Sequence, residues 1–527
     1  MRGGALVVHA LQAGGVRTVF GIPGVHNLPI YDALLDSGIT HILARHEQGV
    51  AFAANGYARA TGQLGVALTI GGPGVTYALT PLGEAYADSS PLLLIAAGVE
   101  RRYQGLALGV LHEMPDQLAV AKPLSGWARR VEMPDQIAEA LAEAMRYLRS
   151  CRPRPAYAEI PTDVLSAEAE PPRSLRTTGA LAGAPPELVQ QAAEALGRAK
   201  RPVIYAGGGA LDAARELVQL AEKLGAPIAT SASGKGVIPE DHPLALGSAT
   251  GLRGRWNGDA TRELFSQADG ALLVGANLWA PELGLAIPFP ENTVQINLDP
   301  LELGKVVPAR VGLAADARTA LRQLLPLLPT KAPWADASAV RQQELQQARQ
   351  DGPLETALLE EIRAALPRDT ILVGDMTLLA YRATRIFPVY APRSFLSPRG
   401  FGTLGFALPA AIGAQAGRPG QPVAAIVGDG GMLYTCGELA SAVQHRLPVI
   451  VIVVNDGAYA MIKRFQLKEY GRTIAADLSP VNFAQLAEAM GALGYRCRPG
   501  QVGEAITQAL ERRQTAVVEV LTTLNMP

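Results

Sequence analysis

The chain is expected to fold as an α/β protein of three domains, each a mostly parallel sheet flanked by helices. Three observations carry that expectation. Short apolar runs alternate with helix-length segments along almost all of the 527 residues, the pattern of strands joined by crossover helices. Glycine-rich turns close several of these runs, as in Gly71-Gly72-Pro73-Gly74 and Gly428-Asp429-Gly430-Gly431, where a strand hands over to a helix. Pro171-Pro172 and Pro185-Pro186 bracket a Gly- and Ala-rich segment that reads as a linker. The length accommodates three such units, which we place at residues 1–170, 185–330 and 350–527.

In the first unit, strands are expected at Thr18 to Phe20, His41 to Ala44, Gly65 to Ile70 and Leu92 to Ala97, with a helix through Tyr31 to Leu35 and an Ala-rich one opening at Glu47. In the second, KRPVIYAGGGALDAARELVQLAEKLGAPIAT reads as strand, glycine turn, helix, strand, followed by strands at Asp269 to Gly275 and Val294 to Leu298. Its glycine turn is a weak dinucleotide signal, because GxGxxG is absent and so is the acid expected near the end of the second strand. A polar helix, Val340 to Arg349, leads into the third unit. There the strands are Thr370 to Gly374, Val423 to Val427 and Val449 to Val454, and a single helix is expected from the Gly431 turn to about Leu447.

Composition excludes several classes of function. With 47 basic and 48 acidic residues the formal net charge is −1, so neither nucleic acid nor an anionic membrane is an expected partner. No apolar run reaches the length of a spanning helix, and the N-terminus has too short an apolar core for a secretory signal. Cys151, Cys436 and Cys497 are far apart and odd in number, which argues against a disulfide framework and for a cytoplasmic location.

The chemistry is expected at residues 428–459. Two parallel strands, ending at Val427 and Val454, bring Asp429 and Asn455 to one edge of a sheet, where ligands of open α/β sheets bind. Asp429 offers an anionic oxygen and Asn455 a neutral one, a set that suits Mg²⁺ or Ca²⁺ shared with a phosphate. Asp429 would serve equally well as a helix N-cap. Glu47, at the start of its helix, is either a dipole-stabilising surface acid or a functional one.

This stretch resembles the diphosphate motif of thiamine diphosphate enzymes, GDG followed by an Asn pair, with Val454 in place of the first Asn. The chain is similar in this to acetohydroxyacid synthases, benzoylformate decarboxylase and other 2-oxo acid decarboxylases. The resemblance implies thiamine diphosphate with Mg²⁺ held by Asp429, Asn455 and the Gly457 carbonyl, with Gly428, Gly430 and Gly431 cradling the diphosphate and Thr377 beside it. RHE before the Ala-rich helix and GYAR resembles the family's pyrimidine motif. Glu47 would then hydrogen-bond the aminopyrimidine and favour its imino tautomer. In RGFGTLGFALPAAIGA, Leu404 matches the aliphatic residue that bends the cofactor and Gly402 the carbonyl that accepts from it.

His26 and His112 are expected to relay protons or bind the substrate carboxylate; either could instead bond loop backbone. Gly72, Met461, Ile462, Arg464 and Phe465 are expected at the substrate pocket, with Lys463 and Arg464 either favouring an anionic substrate over a guanidino one or forming a solvated charged face. GIPGVH, RHEQG, GYAR and LHE followed by DQ resemble 5-guanidino-2-oxopentanoate decarboxylases most. The stretch PLSGW has Gly126 where synthases carry Lys, and Leu68 replaces the benzoylformate enzyme's His. The implied reaction is decarboxylation of a 2-oxo acid, with carboligation to a second carbonyl open. Acetolactate synthase is the alternative, followed by a benzaldehyde lyase-like C–C lyase or a flavin-containing pyruvate oxidase-like enzyme; FAD is left open. In the family the cofactor lies between subunits, so at least a homodimer is expected, and a homotetramer by resemblance.

Overall fold

A computed structural model describes residues 1–249, 259–278 and 288–522. It contains three six-stranded sheets, and every strand pairing in them is parallel. The first comprises β1 (Thr18–Gly21), β2 (Thr40–Leu43), β3 (Gly65–Thr69), β4 (Leu92–Gly98), β5 (Trp127–Arg130) and β6 (Ala156–Pro161), in the order β2-β1-β3-β4-β6-β5. The second comprises β7 (Pro202–Ala206), β8 (Ile228–Thr230), β9 (Ala245–Ser248), β10 (Gly270–Val274), β11 (Thr293–Asn297) and β12 (Val311–Ala314), ordered β12-β11-β10-β7-β8-β9. The third comprises β13 (Ile371–Gly374), β14 (Phe395–Leu396), β15 (Val423–Gly428), β16 (Val449–Asn455), β17 (Leu493–Cys497) and β18 (Ala516–Leu521), ordered β14-β13-β15-β16-β18-β17.

The first and third sheets share one permutation, so the chain uses the same topology twice. The central sheet instead has the order of a doubly wound dinucleotide fold. Strands such as β15 and β16, nothing but Val, Ile and Ala before their last residues, are buried up to those last residues. Helices cover both faces of a parallel sheet, so its central strands lose the alternation of polar residues. Residues 171–185 carry neither helix nor strand.

Two helices join the first and third sheets. The helix α1 (Glu47–Thr61) follows β2, α2 (Pro73–Asp88) follows β3, and α3 (Gln117–Ala121) lies between β4 and β5; in the third unit α4 (Ala407–Gly417) precedes β15. A Cβ on Gly413 would overlap the carbonyl oxygen of Ala53, and one on Gly56 the carbonyl oxygen of Ala410. The α1 and α4 backbones therefore touch, which only glycine allows. Phe52 and Phe406 meet edge to face beside the crossing, with centroids 5.6 Å apart. One apolar cluster runs through this contact from Phe20 and Val50 to Val427 and Val451.

The segment after β15 departs from the expected single helix. It forms α5 (Asp429–Thr435) and α6 (Glu438–Gln444), broken at Cys436-Gly437. The break turns Glu438 towards the first sheet, where its carboxylate accepts from the Arg45 and His46 amides at 3.1 Å. Among the described residues, no helix is long and apolar enough to cross a membrane.

Gly413→Ala tests the crossing, because two effects oppose each other. Helix propensity alone favours Ala by about 1 kcal/mol, whereas overpacking against backbone costs roughly 1–3 kcal/mol or more. The expected result is a melting temperature lower by about 2 °C or more, with Gly420→Ala, where a Cβ meets nothing within 4 Å, unchanged within about 1 °C. An unchanged or raised melting temperature for Gly413→Ala would contradict the packing.

Candidate functional site

Asp429 opens α5, but the N-cap position is Gly428 and no side chain caps the helix. The Asp429 carboxylate instead spans two turns. Oδ1 accepts from the Gly430 amide at 2.9 Å and Oδ2 from the Gly457 amide at 2.8 Å. Burial raises its pKa, opposed by these amides. Thr377 lies beside this turn, its Oγ1 3.2 Å from where a Gly428 Cβ would stand, and Gly431 faces Asp375.

Asn455, the last residue of β16, has its amide nitrogen committed to neighbouring acceptors. Nδ2 donates to Val481 O at 3.0 Å and to Glu519 Oε1 at 2.8 Å. The next side chain, Asp456, is the one coupled to Asp429. Its pKa is pushed up to about 7, first by burial and then by the Asp429 charge. Sequence reasoning missed Asp456. Taking the motif's pair one residue later, as Asn455-Asp456, would have found it. The Gly457 carbonyl accepts from the Leu478 amide at 2.8 Å, which leaves it one lone pair.

The loop bearing Gly402 and Leu404 is held by carboxylates. Buried Asp375 turns to the amides of Gly405 (3.2 Å) and Ala407 (2.8 Å). From α2, Glu84 accepts from Arg399 N at 3.0 Å and Thr403 N at 3.3 Å, and Asp88 from Gly400 N at 3.1 Å. Leu404 is half-buried rather than a core leucine.

Glu47 occupies the first position of α1. His46, the N-cap, accepts from Gln48 N through Nδ1 at 3.1 Å, so Glu47 is not needed as a cap. Its carboxylate makes no hydrogen bond to another described residue; a Cβ on Gly74 would lie 3.6 Å from its Oε1. Gly72 has φ +58°, and a side chain there would meet the His112 carbonyl at 2.7 Å. His112 and His26 meet through Nδ1 at 3.0 Å, so one proton serves both nitrogens. Burial, and then His112, lowers the His26 pKa.

On α7 (Ala460–Tyr470), Met461 is half-buried while Ile462 and Phe465 are exposed. Lys463 pairs with Asp477 at 2.7 Å and Arg464 with Glu355 at 3.3 Å. Both charges are matched, which removes the argument from them for an anionic substrate. The structure thus assembles Asp429, Gly430, Gly457 and Asp456 as one group and Glu47, Gly72, Gly74, His26 and His112 as another. No hydrogen bond among the described residues joins Glu47 to Asp429.

Comparison with known proteins matches all three units. The N-terminal TPP binding domain of thiamine pyrophosphate enzymes matches residues 1–120, the central domain 189–324 and the C-terminal TPP binding domain 373–520. The chain is 40% identical over 514 residues to a probable 2-ketoarginine decarboxylase of Pseudomonas aeruginosa, covering 93% of this chain and 88% of that one. It is 33% identical over 560 residues to a probable acetolactate synthase large subunit of Methanocaldococcus jannaschii (99% and 92% covered). Acetolactate synthase isozyme 1 large subunit of Escherichia coli is 32% identical over 501 residues (93% and 88%).

Glu84 predicts a pH dependence. Burial and the neighbouring Asp88 push its pKa up to about 8, so the folded chain holds this proton more tightly than the unfolded one. Its contribution is present below the unfolded value of about 4.3 and is lost as pH rises towards the folded one. The melting temperature of wild type minus that of Glu84→Gln should fall between about pH 5 and pH 8. A difference independent of pH would refute the assignment.

Proposed function

The chain belongs to the thiamine pyrophosphate (thiamine diphosphate) enzyme family, and from that premise we propose that it decarboxylates a 2-oxo acid. The observation that carries this reading is the Asp429 carboxylate bridging the Gly430 and Gly457 amides at the glycine-lined end of β15 and β16, with Asp456 close enough that, after burial, the Asp429 charge raises its pKa. A divalent cation would relieve the mutual repulsion that raises the Asp456 pKa, and carboxylate oxygens are the ligands Mg²⁺ takes. The residues present therefore fit a Mg²⁺-diphosphate group. Asp429 and Asp456 would hold the metal, with the spare lone pair of the Gly457 carbonyl, and Asn455 braces the turn through Glu519 and Val481.

When bound, thiamine diphosphate supplies the nucleophilic carbon and the electron sink for loss of CO₂. The protein's own groups do the rest. Glu47, whose carboxylate is uncommitted, would hydrogen-bond the aminopyrimidine. Leu404 and the Gly402 carbonyl would line the cofactor, and the loop that carries them is fixed by Asp375, Glu84 and Asp88. His26 and His112, sharing one proton, bind the substrate carboxylate or exchange a proton with the product. Gly72 leaves space beside them.

Glu47 and Asp429 belong to different units, and exposed apolar side chains flank both. Val25, Leu106, Leu108 and Leu111 lie in the first unit, Phe401, Tyr434, Ile462 and Phe465 in the third. A second copy covering these surfaces completes each site, so we read the protein as at least a homodimer, with a homotetramer as the larger assembly. Three free cysteines accord with a cytoplasmic location. Acetolactate synthesis is the second reading, supported by the synthase relatives. A cavity of about 450 Å³ lined by Gly208, Gly209, Gly275 and Asn297 of the central sheet accords with a flavin, and purified protein would then absorb near 450 nm, roughly where bound flavins do.

The deciding experiment is CO₂ release from a panel including pyruvate and 5-guanidino-2-oxopentanoate, with thiamine diphosphate and Mg²⁺ and the organic product identified. An aldehyde supports the decarboxylase, acetolactate the synthase; no CO₂ from any acid rejects both. Glu47→Gln should lower turnover by at least about 100-fold while cofactor binding, read by near-ultraviolet circular dichroism, persists. Asp456→Ala should weaken Mn²⁺ binding by about tenfold or more, while Asn455→Ala mainly lowers the melting temperature. The reverse pattern would return the metal to Asn455.

A further inference from the structure

Gly72 precedes α2 with φ +58°, and no side chain caps the helix there. Two groups from one short segment grip this residue. The direction of its missing Cβ is closed by the His112 main chain, since that Cβ would lie 2.7 Å from the carbonyl oxygen and 3.1 Å from Cα. Its amide is taken by Gln117, the first residue of α3, whose Oε1 accepts at 2.7 Å. Residues 112–117 therefore form a clasp on the turn, with backbone at one end and a side chain at the other.

Gln117 is fully committed to this task. It is 6% exposed, and its Nε2 donates to Ala97 O on β4 at 3.1 Å and to the Tyr157 hydroxyl on β6 at 2.9 Å. Its Oε1 also lies 3.0 Å from where a Gly71 Cβ would stand. A buried amide without an acceptor is costly, so this one side chain ties the glycine turn to the sheet. Nearby Glu159 takes no part: Oε1 accepts from Arg130 Nε at 2.7 Å, and Oε2 is buried without a hydrogen-bond partner among the described residues.

The clasp holds part of the reaction site. His112 has φ +64°, a conformation that a non-glycine residue keeps only where its surroundings impose it. From there its Nδ1 meets His26 Nδ1 at 3.0 Å. Glu47 is anchored separately, because the Arg45 and His46 amides just before it are bonded to Glu438. Loss of the clasp therefore moves the histidines and leaves the carboxylate in place.

We propose that Gln117 is a positioning residue for the reaction. Through Gly72 and His112 it sets where the His26–His112 pair stands relative to Glu47, and so governs delivery of the proton that completes the aldehyde. The inference rests on the 2-oxo acid reading above and deepens it. In that reaction the bond from the carbonyl carbon to the carboxylate breaks with loss of CO₂, and a C–H bond forms in its place. The electron pair remains with the carbon, and the proton comes from the histidine pair, which regains one from water.

The test compares wild type, Gln117→Met and Gln117→Glu. Methionine has the length of glutamine without its polar atoms, whereas glutamate, ionised or not, keeps an oxygen for the Gly72 amide. If Gln117→Met does not fold, Gln117→Asn, too short to reach Gly72, replaces it. One readout needs neither cofactor nor turnover: imidazole modification by diethyl pyrocarbonate, read by peptide mass spectrometry. His112 modification relative to exposed His46 should rise by about threefold or more in Gln117→Met and stay near wild type in Gln117→Glu. In the loaded enzyme, kcat should fall by about tenfold or more in Gln117→Met. The ratio of kcat in H₂O to kcat in D₂O, in which partial loss of folded material cancels, should be larger there than in wild type, because proton delivery has become the slow step. An unchanged His112 modification, an unchanged isotope ratio, or equal effects of Met and Glu sinks the positioning role and leaves the decarboxylase reading intact. If His112 responds as expected but wild type releases CO₂ from no 2-oxo acid, the reaction assigned above fails and the clasp stands.

Discussion

Backbone contact between α1 and α4 is the constraint on which the rest of the molecule depends. Helix axes normally stay 8–10 Å apart because side chains separate them. Here Gly56 and Gly413 let each helix rest on a carbonyl of the other. Both helices begin at the functional edge. Glu47 is the first residue of α1, and the Leu404 loop runs directly into α4. The glycines thus fix the first sheet against the third, and with it the relation between the pyrimidine-side and diphosphate-side groups of one chain.

The buried acids fall into two kinds, and hydrogen bonding separates them. Asp375, Glu438, Glu84 and Asp88 accept backbone amides from distant segments, so they replace the hydrogen bonds that irregular loops lose on burial. These are fold-holding groups. Glu47 and Glu159 are different, since each keeps a carboxylate oxygen to which no described residue donates. Such groups persist where a ligand completes them.

The two outer sheets share one topology while the central one has the dinucleotide-fold order. In the shared order β3 corresponds to β15 and β4 to β16, whereas Glu47 follows β2, the counterpart of β14, so Glu47 and Asp429 sit at the same end of their sheets but after strands that do not match. The central sheet's glycines, Gly207 and Gly209 against Gly275, are occupied in bringing β7 and β10 turns together, which accounts for a glycine run without the dinucleotide fingerprint.

The sequence by itself determined the alternation of strands and helices, the three units, and the edges that carry Glu47 and Asp429. Those features are local: period, turn residues and strand length are written in neighbouring positions. It did not determine which of Asn455 and Asp456 faces Asp429. Adjacent residues leaving a strand point to opposite sides, so in the metal site proposed above a one-residue choice moves the ligand from one face to the other; the tertiary contacts show that Asn455 Nδ2 is held by Glu519 and Val481. The His26–His112 pair, 86 residues apart, the break after α5 made by Glu438, and the orphan oxygen of Glu159 likewise depend on partners that chain order does not bring together. Tertiary structure decided these because each is a relation between distant groups, set by packing rather than by any local preference.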